Sequence, residues 1–116
     1  MRVRKTLHSM GMQFRIHRRD LSGKPDIVLP RHGLIIFVHG CFWHRHSGCR
    51  LASVPKTRPE FWEAKFRSNR LRDKRNKLAL EDMRWLVEVV WECVTMDQTR
   101  LDGVLVNNLN FDTDRG

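Results

Sequence analysis

Long apolar runs are missing from this 116-residue chain. The longest, Leu34-Ile35-Ile36-Phe37-Val38, falls far short of the roughly 20 residues a helix needs to cross a bilayer, so a membrane span is excluded. The N-terminal residues show no uninterrupted apolar stretch of the signal-peptide kind, and a reducing cytoplasm is the expected location. Cysteine is scarce and odd in number, three in all, which argues against a disulfide framework and leaves thiols for a metal. Internal repeats and low-complexity tracts are absent too, so no solenoid and no linker is visible. Acidic residues are few: 13 against 22 Lys plus Arg, a formal net charge of +9 and a pI near 10.5. Such an excess draws polyanions, of which nucleic acid is the commonest, although a generally basic, solvated surface would look the same by charge alone. With 41% hydrophobic residues the chain suits one compact, monomeric domain over 1–116, with little left for a second core.

What is present is concentrated. Gly40-Cys41-Phe42-Trp43-His44-Arg45-His46-Ser47-Gly48-Cys49 brings thiols, imidazoles and large rings together directly after the apolar run. Around it the patterns predict an N-terminal helix over Met1–Met10, from Val3, Leu7 and Met10 with Gly11 as its stop. They predict a strand at Phe14–Ile16, then a hairpin of Asp26–Leu29 and Leu34–Val38 turning at Pro30–Gly33. Thr57-Arg58-Pro59-Glu60 has capping-box spacing and predicts a long helix to about Glu81; Arg84–Glu92 reads as a mostly buried strand ending at Cys93. From Thr95 the pattern is weak, and Leu101, Val104, Leu105 and Leu109 suggest at most a short helix without a functional role.

Cys41, His46 and Cys49 form three ligands of one tight loop, and Cys93 offers a fourth from the last strand. Three thiolates with one imidazole select zinc over magnesium or calcium. A complete set of four leaves no position open to water, so the ion is expected to be structural. Three unrelated cysteines buried as small hydrophobes are the bland alternative, disfavoured because the ligand set closes without remainder.

His39 and His44 stay outside that set. If the hairpin turns at Arg31-His32, its register places Asp26 opposite Phe37 and Val38. A carboxylate there and a backbone carbonyl beside it would share a hard cation of the magnesium kind. A histidine next to a phosphate-bound cation can move the proton of an attacking water near neutral pH, which together makes the parts of a phosphodiester hydrolase. Farther on, Trp62, Lys65 and Asn69 share one face of the long helix, while Arg67, Arg70, Arg72, Lys74, Arg75 and Lys77 make it strongly basic. An aromatic, a cation and an amide on one face suit base edges, with the other cations on phosphates; for Trp62 ordinary core packing is an equal alternative.

Phe37-Val38-His39-Gly40-Cys41-Phe42-Trp43-His44, preceded by Gly23-Lys24-Pro25-Asp26-Ile27-Val28 and followed by Phe61-Trp62, Asn69, Arg72-Asp73 and Trp91-Glu92-Cys93, closely resembles the very short patch repair endonucleases. The resemblance covers residues 3–93 in order. It implies an α/β, restriction-endonuclease-like fold, a central mixed β-sheet flanked by helices. It also implies nicking of double-stranded DNA 5′ to the thymine of T:G mismatches left by 5-methylcytosine deamination, with mismatch-repair proteins as partners. By the same resemblance Asp26 binds magnesium with the main-chain carbonyl of Val38, His44 is the catalytic histidine and His39 assists it. Zinc falls on Cys41, His46, Cys49 and Cys93. Phe42, Trp43 and Trp62 are the wedges inserted beside the mismatch, and Lys65 and Asn69 its readers. Unstacking costs least where pairing is already poor, so wedging itself favours a mismatch.

The loop between Cys41 and Cys49 is one residue longer than in some members, which should alter only the loop. Members of the family also carry an N-terminal segment with a glutamate that assists at the metal site. No acidic residue precedes Asp20 here, and the expectation is a chain that lacks that segment. Two further readings follow. One is a catalytically impaired, zinc-stabilised mismatch-binding module, disfavoured because Asp26, His39 and His44 are all present. The other is a zinc-stabilised RNA-binding protein, disfavoured because nothing suggests a single-strand stacking sheet.

Overall fold

The computed structural model describes the backbone of residues 2–115 and the side chains of residues 2–109. Helix α1, Arg2–Ser9, buries Val3, Thr6 and Leu7 on one face. It ends where the sequence predicts: Gly11 takes φ +75°, its N–H bonds the His8 carbonyl and the Met12 N–H reaches back to Leu7 at 3.0 Å. This pairing closes the last helical carbonyls and turns the chain.

Strands β1 (Ile27–Leu29) and β2 (Leu34–His39) form the expected antiparallel hairpin, with Ile27 opposite Ile36 and Leu29 opposite Leu34. A single 3₁₀ turn, Pro30–His32, closes it, and Gly33 supplies the left-handed residue at φ +59°. The strand predicted at Phe14–Ile16 is instead one bridge, Arg15 to Val28, with N–H···O distances of 2.7 and 2.9 Å. With only three residues, β1 offers a short edge, and the chain leaves it at His17, φ +60°. The alternation still reported burial correctly, because Phe14 and Ile16 pack on the core.

Helix α2, Pro59–Asp82, crosses from β2 to strand β3, Leu86–Trp91, which lies parallel to β2 with His39 beside Trp91. The predicted capping box does not form. Arg58 is the cap residue in a left-handed conformation, φ +52°, with no side-chain bond to the helix start, and Pro59 opens the first turn. The three-stranded mixed sheet, order β1-β2-β3, therefore has two differently covered faces. One carries Ile27, Leu29, Leu34, Ile36 and Val90. The other carries Val28, Ile35 and Val87, covered by Leu80 of α2 and Leu21.

The first face is covered by Val3 and Leu7 of α1 and by Leu101 and Leu105 of a helix the sequence pattern underrates. After the short α3, Glu92–Thr95, helix α4 runs Gln98–Arg115. Asp97 caps it, its Oδ1 accepting the Thr99 and Arg100 N–H groups at 3.0 and 3.2 Å. Leu101 and Leu105 are fully buried, each contributing about 1.5–3 kcal/mol by leaving water. The tail expected to be weakly structured is thus a covering layer of the core. Among the described residues, no helix is long and apolar enough to cross a membrane.

Candidate active site and metal centre

The loop after β2 folds by tight turns: the His44 N–H bonds the Gly40 carbonyl, His46 bonds Cys41, and Cys49 bonds His46, at 3.0–3.3 Å. These turns bring Cys41, His46 and Cys49 round to Cys93, so that one ligand atom from each lies within 4.8 Å of the others. A tetrahedral ion bonded at about 2.3 Å to sulfur and 2.0–2.1 Å to nitrogen requires sulfur–nitrogen separations near 3.6 Å. His46 Nδ1 lies 3.7 Å from Cys41 Sγ and 3.5 Å from Cys93 Sγ.

The surrounding donors suit thiolates. Cys93 donates its N–H to Cys41 Sγ at 3.4 Å, and the Leu51 N–H is the main influence pulling the Cys49 thiol down. Burial pushes Cys41 up to about 11, a desolvation penalty that a coordinated cation would offset. Glu92 accepts the Cys41 N–H at 3.2 Å, tying the loop to the end of β3. The four residues thus form a group with the separations a tetrahedral metal ion requires.

Arg45 lies within this loop, and sequence reasoning assigns it nothing. Its guanidinium bonds three carbonyls, Phe42 at 3.3 Å, Ser53 at 3.1 Å and Ala52 at 2.9 Å, and sits 4.2 Å over the Phe66 ring. This fork holds Arg45 in its left-handed backbone, φ +55°.

On the α2 side of the sheet a cleft of about 950 Å³ is lined by Asp26, His39, His44, Asp73 and Trp91, with Lys24, Arg70, Arg72, Lys74, Arg75 and Lys77 around it. The carboxylate and the imidazole singled out in the sequence thus face one space, and that space is rich in cations. Asp26 sits one register step beyond Ile27, where its Oδ2 accepts the Val38 N–H at 2.7 Å. The loop before it packs tightly on α2: Gly23, φ +78°, has no room for a Cβ, which would meet Asn76 Nδ2 at 2.9 Å.

His39 and His44 stack at 3.9 Å between ring centroids and 8° between planes, and the Asp73 carboxylate of α2 holds Nδ1 of His44 in a short hydrogen bond. The three are close enough to suggest a cation. Parallel rings nearly 4 Å apart send their in-plane lone pairs along parallel lines, however, and an ion bonded at about 2.1 Å to both would lie well outside the plane of one. The arrangement is therefore a hydrogen-bonded dyad, His44–Asp73, backed by a second imidazole. Burial first, then the charge of His44, push His39 down to about 4; Asp73 opposes this and Arg72 adds to it. Asp73 belongs to the Arg72-Asp73 pair that carries the family resemblance, yet sequence reasoning gives it no role; a lone carboxylate inside the basic run of α2 is its other signal.

The aromatic residues gather beside this cleft. Phe42 meets Trp43, Trp62 and Phe66 edge-on at 5.2–5.6 Å, and Trp43 leans on Trp62 at 5.8 Å. Trp43 is 46% exposed, while Phe42 and Trp62 are half-buried against Phe66. Asn69 donates to the Trp43 carbonyl at 3.2 Å, so Asn69 and Trp62 do share a face of α2. Lys65 is exposed, and like Asn69, Phe42, Trp43 and Trp62 it is not part of the cleft lining itself.

A mixed sheet, a Cys/His group able to hold a metal and a His–Asp pair in a basic cleft are the parts that nucleic-acid chemistry needs. The model of the family DNA mismatch endonuclease Vsr matches residues 1–50. The chain is 50% identical over 108 residues to the type II nicking enzyme V.XorIIP of Xanthomonas oryzae pv. oryzae, covering 93% of this chain and 79% of that protein. It is 41% identical over 100 residues to the DNA mismatch endonuclease Vsr of Escherichia coli K12, covering 86% and 64%. With the type II nicking enzyme V.NmeAIP of Neisseria meningitidis it shares 43% over 91 residues, covering 78% and 64%. The chain belongs to the Vsr family of DNA mismatch endonucleases. It spans 79% of the first of these relatives and a little under two thirds of the other two.

Proposed function

We propose that this protein is a DNA mismatch repair endonuclease that nicks one strand 5′ to the thymine of a T:G mismatch, with residues 1–116 acting as one domain of restriction-endonuclease-like fold. The observation that carries the reading is the shared cleft of Asp26 and the His44–Asp73 dyad, ringed by cations and bordered by the Phe42–Trp43–Trp62 cluster. Because Asp73 occupies Nδ1 of His44, the other nitrogen, Nε2, is the one offered to a water poised at the phosphorus. His44 then takes the proton of the attacking water, and Asp73 keeps the imidazole oriented and stabilises its charge. His39, held neutral, backs the ring without competing for that charge. Magnesium, when bound by Asp26 and the Val38 carbonyl, supplies charge that neutralises the phosphate.

The basic rim binds the backbone, and Trp43, the most exposed of the three wedge rings, enters the stack first. Lys65 and Asn69 address the mismatch from α2. The decisive experiment is strand nicking of a T:G duplex, with matched T:A and C:G duplexes beside it, with and without magnesium, for the wild type and Asp26→Ala. We expect one magnesium-dependent nick by the wild type and none by the variant. Tight mismatch binding with no nick under any divalent cation would leave only a binding module.

A further inference from the structure

We infer that Trp91 is a positioning residue that couples the zinc centre to the catalytic imidazole, an inference that rests on the endonuclease reading of the same cleft. Parallel pairing of β2 and β3 puts Trp91 directly beside His39. The consequence is a continuous row of rings across the end of the sheet. His46, whose Nδ1 faces the two thiols, lies flat on the indole at 4.2 Å and 8°. The indole meets His39 edge-on at 5.5 Å and 76°, and His39 stacks on His44, which Asp73 fixes from α2.

Each ring in this row has one neighbour that limits its tilt. His46 would be held at two points, by its backbone and by the bond its Nδ1 makes to an ion, so that its ring cannot turn about either one alone. A face-on contact transmits that plane to Trp91, and an edge-on contact limits the travel of His39. His44 therefore receives its orientation from two sides: from Asp73 through a hydrogen bond, and from the ion through two intervening rings. An ion held by Cys41, His46, Cys49 and Cys93 would thus do more than close a loop, and Trp91 is the residue that carries its constraint toward the catalytic imidazole.

The test compares zinc-loaded wild type, Trp91→Leu and Trp91→Phe by three measurements: zinc per chain, steady-state nicking of a T:G duplex, and the imidazole C–H proton resonances of His39, His44 and His46. Leucine removes the flat ring and phenylalanine keeps one. All three proteins should hold one zinc. In Trp91→Leu the indole's share of the ring-current displacement of the His46 and His39 signals should vanish and kcat should fall about 10- to 100-fold with KM within about twofold, while Trp91→Phe restores most of both signals and rate. A Trp91→Leu protein that keeps its zinc and nicks at the wild-type rate overturns the coupling. So does release of zinc by both variants, which would make the indole a support for the ion alone. Should the leucine variant not fold, a zinc-retaining Trp91→Phe protein with kcat reduced a hundredfold likewise overturns it. A zinc-loaded wild type that binds the mismatch and never nicks it sinks the endonuclease reading instead, and the imidazole signals still decide the coupling.

Discussion

Asp73 on α2 holds Nδ1 of His44 in the loop after β2, although 29 residues separate them in the chain. A carboxylate accepts, so the contact places the Nδ1 proton between the two side chains and leaves Nε2 as the other ring nitrogen of a histidine that lines the cleft. Replacing Asp73 with asparagine keeps a hydrogen-bonding group of the same size and removes the charge that stabilises an imidazolium. Single-turnover nicking by Asp73→Asn should fall about 10²-fold or more, with duplex affinity by gel shift unchanged. A variant that nicks at the wild-type rate would show that the dyad takes no part in proton transfer.

Cys41, His46, Cys49 and Cys93 bring a loop and the end of the sheet to one point, with the three cysteines free of disulfides. Stripping the ion with a chelator, or removing one ligand with Cys93→Ala, leaves thiols in a site that disfavours their charged form at Cys41. Zinc content should drop from one per chain to near zero and the thermal midpoint by more than about 10 °C. An equal midpoint with and without zinc would refute a structural role for the ion.

Local chemistry determined what could be foreseen in this chain. The hairpin, α2 and β3 were legible because β-branched runs and a long helix-forming stretch leave little choice, and the register that puts Asp26 beside Val38 follows from the turn. The Cys/His set was legible from ligand type. Helix α4 was not: Gly103, Asn107 and Asn108 dilute its helical preference, and its stability comes from burying Leu101 and Leu105 under a sheet built from distant residues. Asp73 was hidden for a similar reason, since its meaning depends on a histidine that only the folded chain brings near. The capping box failed because Arg58 turns left-handed, which aims the chain into the helix by another route.

Arg45 shows how a residue that reads as plain charge can be structural. Its fork serves three carbonyls while its flat face covers Phe66. Lysine keeps the charge but offers neither the fork nor the plane, so Arg45→Lys should cost about 1–3 kcal/mol in denaturant unfolding. The cost should be accompanied by greater solvent quenching of the Trp43 and Trp62 fluorescence as the aromatic cluster loosens. Equal unfolding midpoints for the two proteins would mean that the carbonyls find water without penalty.

His39 gives the fold a dependence on pH of predictable sign. Its ordinary value of 6.5 is lowered to about 4 in the folded chain, chiefly by burial and then by the His44 charge. Between these values the unfolded chain binds a proton that the folded chain does not, so stability rises with pH across the window. The contribution is complete above pH 6.5 and is lost as the pH falls toward 4. The ring keeps some contact with solvent, and screening reduces the effect to about 1 kcal/mol. His39→Gln retains a planar polar group without the titration. Unfolding free energies at pH 7.5 and 5.0 should therefore differ more for the wild type than for this variant, and equal differences would remove His39 as the source.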